Sequence, residues 1–445
     1  MARTYYIDPR AGDDSRGGLE ESQAIRTYER LSLSPGDTVL FRRGSVIRGV
    51  LHTCDGETGS PITYGAYGDG PAPTFLGSAS ASDASKWTRE QPNLWRFEGE
   101  FPSEVCNLIF NGGESCGNLR WSLADLKQQG EWYFTGIGVC SEDKWAAGRG
   151  DVLYLFSESN PGEYYSDIEC ALWGQRKMVS GRRNIVLQDL AFRYSGVHGY
   201  QDVRVEKITI RRCEFRFIGG AVWSRPLRIR FGNAVEMWDG ATDVTIEDCI
   251  FDNIYDSGVT HQGSDASDTP RRVYFRNNLF IDNGMAAYEW RGPAASDIYF
   301  EHNTCIHAGG GFSMQGETPP RQSEIYPQPM GHHVFIWRLD KPEELGPIYI
   351  RDNIFYEAPY GAAIYSIIDP VEEKKFVIDR NCYYQTTNDL LARIAGRNFR
   401  PAEFREYQAA GFDAQSLFAD PKFVDAKHAD YRLAPTSPCK GMGRK

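Results

Sequence analysis

The sequence predicts an all-β chain wound as a right-handed parallel β-helix, with an inserted antiparallel β module. Three observations lead there. Seven segments from residue 185 onward repeat one pattern, the shortest repeats match a single coil of three short strands, and the windows alternate with period two.

The repeating segments are IVLQDLAFRY (from Ile185), ITIRRCEFRF (Ile208), VTIEDCIFDN (Val244), VYFRNNLFID (Val273), IYFEHNTCIH (Ile298), IYIRDNIFYE (Ile348) and FVIDRNCYYQ (Phe376). Each has two apolar residues one apart, two mostly polar residues, Asn or Cys in most, and a second apolar pair. Successive starts differ by 23, 36, 29, 25, 50 and 28 residues, so the excess over the minimum must sit in loops. Alternating apolar side chains point into a narrow core because side chains change face at each step of a strand. The abundance of Ile, Val, Tyr and Phe disfavours helix, and the Leu spacing of leucine-rich repeats is absent. Asn278, Asn303, Asn353 and Asn381 should mark the bend between the second and third strands, since Asn accepts left-handed backbone and bonds to equivalent turns on adjacent coils.

Three regions follow. Residues 1–77 form an N-terminal cap and first coils, read from Gly36–Phe41 and Pro61–Gly65. Residues 78–173, less periodic and rich in Trp, Tyr and Gly, are the inserted module. Residues 174–445 are the main helix, with a helical stretch near 401–409 and a tail that closes the last coil, whose open edge needs covering.

Composition narrows the function. With Lys+Arg 49 against Asp+Glu 60, the net charge of -11 argues against a nucleic-acid partner. No stretch approaches the roughly 20 apolar residues of a membrane span. The N-terminus lacks the apolar core of a secretory leader, so the protein is either cytoplasmic or exported with its leader removed. None of the ten cysteines forms Cys-x-x-Cys, which disfavours structural zinc. Cys213 and Cys249 should stack and are a candidate disulfide. There is no P-loop or H-E-x-x-H. The Ser267–Asp268 loop offers oxygen ligands for calcium but lacks calcium-loop spacing, so no metal or cofactor is expected.

The chemistry should lie where Asn233–Asp239, Ser257–Gly263, Met285–Arg291 and Gly311–Gly316 run side by side, overhung by insertions at 264–272 and 317–347. That face offers three carboxylates, Glu236, Asp256 and Glu289, as catalytic candidates. Trp238 and Trp290 would stack on sugar rings, and His261, Gln262 and Arg291 would bond hydroxyls. His332, His333, Trp337 and Arg338 would be added by the overhanging loop. Coils lie roughly 4.8 Å apart. Asp256 with either glutamate therefore suits the roughly 5–5.5 Å of a retaining glycosidase pair, and Glu236 with Glu289 approaches the 6.5–9.5 Å of an inverting one. Each residue also has a plain reading. Glu236 is a solvated carboxylate, Asp256 a turn former, His261 a hydrogen-bonded structural histidine, and Glu289 faces in or out according to which strand residue is taken as inward. Their concentration on one walled face favours the functional reading.

The stretches YYIDPRAGDD, PGDTVLFRRG, PITYGAYGDGP and IFNGGES resemble bacterial right-handed β-helix carbohydrate-active enzymes, as does the run NAVEMWDG…IYDSGVTHQG…AAYEWRGP…FEHNT…GHH. The likeness is to glycoside hydrolase family 141 in particular, which includes fucosidases and xylanases. It implies a pectate-lyase-like solenoid and a carbohydrate substrate, and it adds His198 of VHG to Glu236, Asp256 and Glu289 as site residues. The architecture hosts several chemistries. The expectation is a glycoside hydrolase acting on a plant or algal glycan. The alternatives are a polysaccharide lyase or uronate epimerase drawing on Arg225, Arg228, Arg230 and Arg291, and a glycan-binding module without turnover.

Overall fold

The computed structural model describes residues 1–141, 148, 150–174, 177–264, 269–310, 331–362, 364–367, 373–394 and 396–445. The expected overhangs lie partly outside the described residues: Gly311–Gly316 and the first part of the 317–347 insertion, and 265–268 of the shorter one.

The chain winds as a right-handed parallel β-helix. Thr4–Ile7, Thr38–Arg42 and Ile62–Tyr67 stack in parallel as the first rungs, and Ile62–Tyr67 then pairs with Arg183–Gln188. The solenoid thus resumes across more than a hundred residues. Between these points, Trp87–Gln91, Leu94–Phe97, Leu153–Phe156, Glu131–Phe134 and Asn118–Leu119 form a separate sheet, antiparallel apart from its last pairing. It packs around its own core of Trp87, Phe97, Phe134 and Leu155.

Alternation of apolar residues fills the solenoid with stacked rings. Phe75, Phe192, Phe215, Phe251 and Phe280 lie face to face on successive coils, with centroids 4.8–5.6 Å apart. Each fully buried ring contributes roughly 1.5–3 kcal/mol of transfer free energy. The strand facing them must be small there: a Cβ on Gly258 would come within 2.5 Å of the Phe280 ring.

The asparagine column forms as expected at the bend. The Asn278 amide donates to Asn303 Oδ1, Asn303 to Asn353, and Asn353 to Asn381, at 2.9–3.0 Å, and each side chain also donates to a carbonyl of an earlier coil. One detail is corrected. The left-handed residue is the one before each Asn, namely Asn277, His302, Asp352 and Arg380, with φ between 54° and 59°. Being buried, the column residue bonds instead of bending the chain. At its end, Asn381 meets Ser416 and Asp413, just beyond the helix Phe404–Ala409. Cys213 and Cys249 occupy earlier positions of the column as free thiols, so the candidate disulfide between them is not formed. The bonded pair is Cys382–Cys439, which ties a late rung to the tail.

Candidate functional site

Five strands stack as parallel rungs of one face: His198–Arg211, Val235–Glu247, Ser257–Gln262, Ala286–Pro293 and His332–Asp340. Their register settles which side chains share a column. Gln201, Glu236, Thr260, Glu289 and Phe335 stand in line, as do Val203, Trp238, Gln262, Arg291 and Trp337 two residues on. The alternate columns, Val235–Val259–Tyr288–Val334 and Met237–His261–Trp290–Ile336, face the interior, where most members belong to the main hydrophobic core.

This register puts Glu236 and Glu289 in one outward column, with Asp256 at the turn that opens the strand between them, and gives each acid different neighbours. Glu236 Oε2 lies 2.8 Å from His198 Nδ1 and accepts from Asn233 Nδ2 at 3.3 Å. Asn233 is itself held, because its Oδ1 accepts the Ser257 amide. Burial drives the Glu236 carboxyl upward, but the His198 contact, the Asn233 bond and the Arg291 charge together bring it below the usual range. The Asn233 backbone amide also lies 3.1 Å from the same Nδ1.

Glu289 has the opposite balance. Its Oε2 accepts from the Ser257 hydroxyl at 2.9 Å and from Gln262 Nε2 at 3.2 Å, and Oε1 accepts from the Trp337 indole at 3.0 Å. Burial pushes it up to about 7; Asp256 adds to the rise, whereas Arg291, Ser257 and Trp337 oppose it. Asp256 sits at the turn before Ser257, where Oδ2 accepts the Gly232 amide at 2.8 Å. Beside them, Arg291 donates to Gln262 and lies 5.5 Å from the Trp238 ring and 5.3 Å from the Trp337 ring. The face therefore offers one carboxyl that keeps its proton near neutrality, and another, two rungs away, that does not. That is the split needed for general acid and base.

Several expectations are corrected. His261 faces inward, bonded to the Tyr288 hydroxyl at 2.7 Å and packed on Trp290, with burial lowering its pKa to about 3. Trp290 is buried and donates to the Pro293 carbonyl. Neither reaches the outer face, because both stand one residue from outward neighbours. His332, His333 and Trp337 belong to the fifth rung and not to an overhanging loop. Of these Trp337 donates to Glu289. His332 accepts the Ala362 amide through Nδ1, and His333 is buried against Phe355. Arg230, an expected uronate ligand, is buried against Gly220, Cys106 and Asn107. Sequence reasoning missed Asn233 and Ser257, which hold the two glutamates. In the folded register both stand in the column of His198, one rung and two rungs on, which a single strand does not reveal. Among the described residues no three Asp, Glu, His or Cys side chains converge to hold a metal.

No family model matches the chain, and no curated protein does. Solved structures of similar fold include the GH136 lacto-N-biosidase of Eubacterium ramulus, with 12% identity, 94% of this chain and 67% of that chain covered, and a TM-score of 0.48. XylC in complex with xylose gives 12%, 89% and 73%, and 0.47. Pectate lyase Pel9A gives 11%, 98% and 90%, and 0.44. At such identities the likeness concerns the winding of the chain.

Proposed function

We propose that the protein is a glycoside hydrolase acting on a plant or algal polysaccharide or its oligosaccharides, as the motif likeness to family 141 also suggests. Glu289 is the general acid, and Glu236 is the base for water or the nucleophile. The observation that carries this reading is the opposite displacement of the two carboxyls on one face, Glu289 up to about 7 and Glu236 downward. The surroundings also say where the acidic proton sits. An indole N–H only donates, so Oε1 beside Trp337 stays an acceptor. The proton is assigned to Oε2, because the Ser257 hydroxyl beside it can turn to accept while the oxygen's remaining lone pair still takes the Gln262 amide.

In the reaction Glu289 gives this proton to the glycosidic oxygen, which leaves with the bonding electron pair. Glu236 takes a proton from the water that attacks the anomeric carbon, or attacks that carbon itself. Two rungs separate the glutamates, about 10 Å at the backbone, which leaves room for the water. Asp256 is a positioning residue whose charge keeps Glu289 protonated. Trp238 and Gln262 then face the sugar from the neighbouring column. A lyase needs a basic side chain at the reacting carbon. Arg291 is engaged with Gln262 and two indoles and Arg230 is buried, so the described residues favour hydrolysis.

The test is turnover of 4-nitrophenyl fucoside and xyloside, xylan, fucoidan and pectin by the wild type and by Glu289→Gln, Glu236→Gln and Asp256→Asn. Losing a general acid or base costs about 10²–10⁴-fold, and the two glutamate variants should fall by that much. Near-wild-type turnover in all three rejects the assignment. An unsaturated product absorbing in the near ultraviolet shows a lyase instead.

A further inference from the structure

We propose that Trp223 forms an accessory subsite that stacks on a pyranose ring of the bound glycan, beyond the sugar at the cleaved bond. The inference rests on the hydrolase reading above and adds to it that the substrate is a chain and not a single glycoside.

Trp223 is the most exposed aromatic side chain among the described residues, at 56%. Exposed indole is costly to keep in water and marks a contact surface when it is mounted on something rigid. Here the mount is the hairpin Ala221–Ser224 with Ile229–Phe231, which leaves the solenoid between the first and second rungs of the site. Val222 pairs with Arg230 and Ser224 with Ile229, so Trp223 is the additional residue of a bulge. Such a residue is re-aimed relative to its neighbours. Ala221 and Val222 bury themselves in the core of the inserted module, and the bulge turns the indole away from them into solvent.

The base of this hairpin is part of the site. The Phe231 ring lies 5.7 Å from that of His198, the Gly232 amide donates to Asp256, and Asn233 donates to Glu236. The base is also fixed. Arg230 ties it to Gly220 at 2.7 Å, Cys106 at 3.0 Å and Asn107 at 2.6 Å. Gly219 and Gly232 touch so closely that a Cβ on Gly232 would lie 2.3 Å from the Gly219 Cα. From Gly232 to Ile229, opposite the bulge, is three residues, about 10 Å of strand. A second, half-buried indole, Trp121, lies close by with the Arg228 guanidinium 5.9 Å from its ring. The hairpin thus mounts an exposed indole on a base that also supports the acids. The ligand suited to it is the C–H face of a pyranose, which needs no charge partner.

The experiment compares Trp223→Ala and Trp223→Phe with the wild type. The substrate is the panel glycan cleaved fastest, supplied both as polymer and as its 4-nitrophenyl monosaccharide. A stacked aromatic contributes roughly 0.5–1.5 kcal/mol beyond its buried area, so Trp223→Ala should raise KM for the polymer by about three- to tenfold. Its kcat/KM for the aryl glycoside should not change, and Trp223→Phe should recover most of the loss. Equal losses on both substrates, or none on the polymer, overturn the subsite and leave the hydrolase reading intact. If the wild type cleaves nothing on the panel, the hydrolase reading fails and the subsite with it.

Discussion

Glu289 ties catalysis to stability in a way that can be measured without a substrate. Its carboxyl ionises at about 7 in the fold, against an ordinary 4.5. Between those values the folded chain retains a proton that the unfolded chain has released, so stability must fall as pH rises through that window. Below 4.5 both states are protonated and the group costs nothing. Above 7 the folded state carries a buried charge, and the loss is complete. At 1.36 kcal/mol for each pH unit, the full loss is roughly 3 kcal/mol. Glu104, buried and pushed up to about 7, and Asp282, likewise about 7, lose stability in the same window. The quantity to measure is therefore the difference between the wild type and Glu289→Gln, in which those contributions cancel. The amide keeps an acceptor oxygen for Trp337, and any fixed cost at Ser257 and Gln262 does not vary with pH, so it leaves the pH dependence of the difference intact. Urea unfolding of both proteins from about pH 4 to about pH 9 should show the variant gaining roughly 3 kcal/mol on the wild type, mostly between pH 4.5 and 7. Curves that stay parallel within about 0.5 kcal/mol would show that Glu289 ionises normally, and the acid assignment would fall with them.

Two further outcomes follow from the same contacts. His198→Gln removes the partner that does most to hold Glu236 down, so the acidic limb of kcat/KM should move up while the limb near 7 stays; an unmoved acidic limb refutes the pairing. Asn303→Ala leaves the Asn278 amide and the Phe275 carbonyl without their buried partner. At about 1–3 kcal/mol for each orphaned group, it should lower stability by roughly 2–6 kcal/mol, read as a shift in the denaturation midpoint. A shift under about 0.5 kcal/mol would mean the column is not structural.

The winding was readable because its causes are local and repeated. Period-two alternation at Ile298–Phe300 or Ile348–Ile350 needs only the neighbouring residues to be seen, and the Asn column recurs on successive coils. The site was readable only in part, because facing depends on register, which a single strand does not reveal. Glu236 and Glu289 emerge on the outer face together because each lies an even number of residues from Trp238 or Arg291. The same parity sends His261 and Trp290 inward, and residue chemistry alone, which favours His and Trp around sugars, points the wrong way. Asn233 and Ser257 look like turn residues in one dimension. They become supports for the glutamates only when adjacent rungs are laid side by side. The length of the 317–347 insertion likewise concealed that a strand resumes at His332, which brings Trp337 onto Glu289 from the next rung and not from above.

Register also explains why two glutamates in one column differ. Both are buried, and Arg291 lowers both, so neither burial nor that charge separates them. What differs is the company each rung supplies. Glu236 has the imidazole of His198 from the preceding rung and the Asn233 amide from its own strand. Glu289 has Asp256 from the preceding rung, a like charge at a turn, and neutral donors from Ser257, Gln262 and Trp337. A solenoid spaces its rungs at roughly 4.8 Å, close enough for a neighbour's charge to act and too close for water to screen it within a buried face. One column of a regular repeat can therefore hold an acid and a base without any distortion of the backbone, provided that the residues flanking the column change from coil to coil.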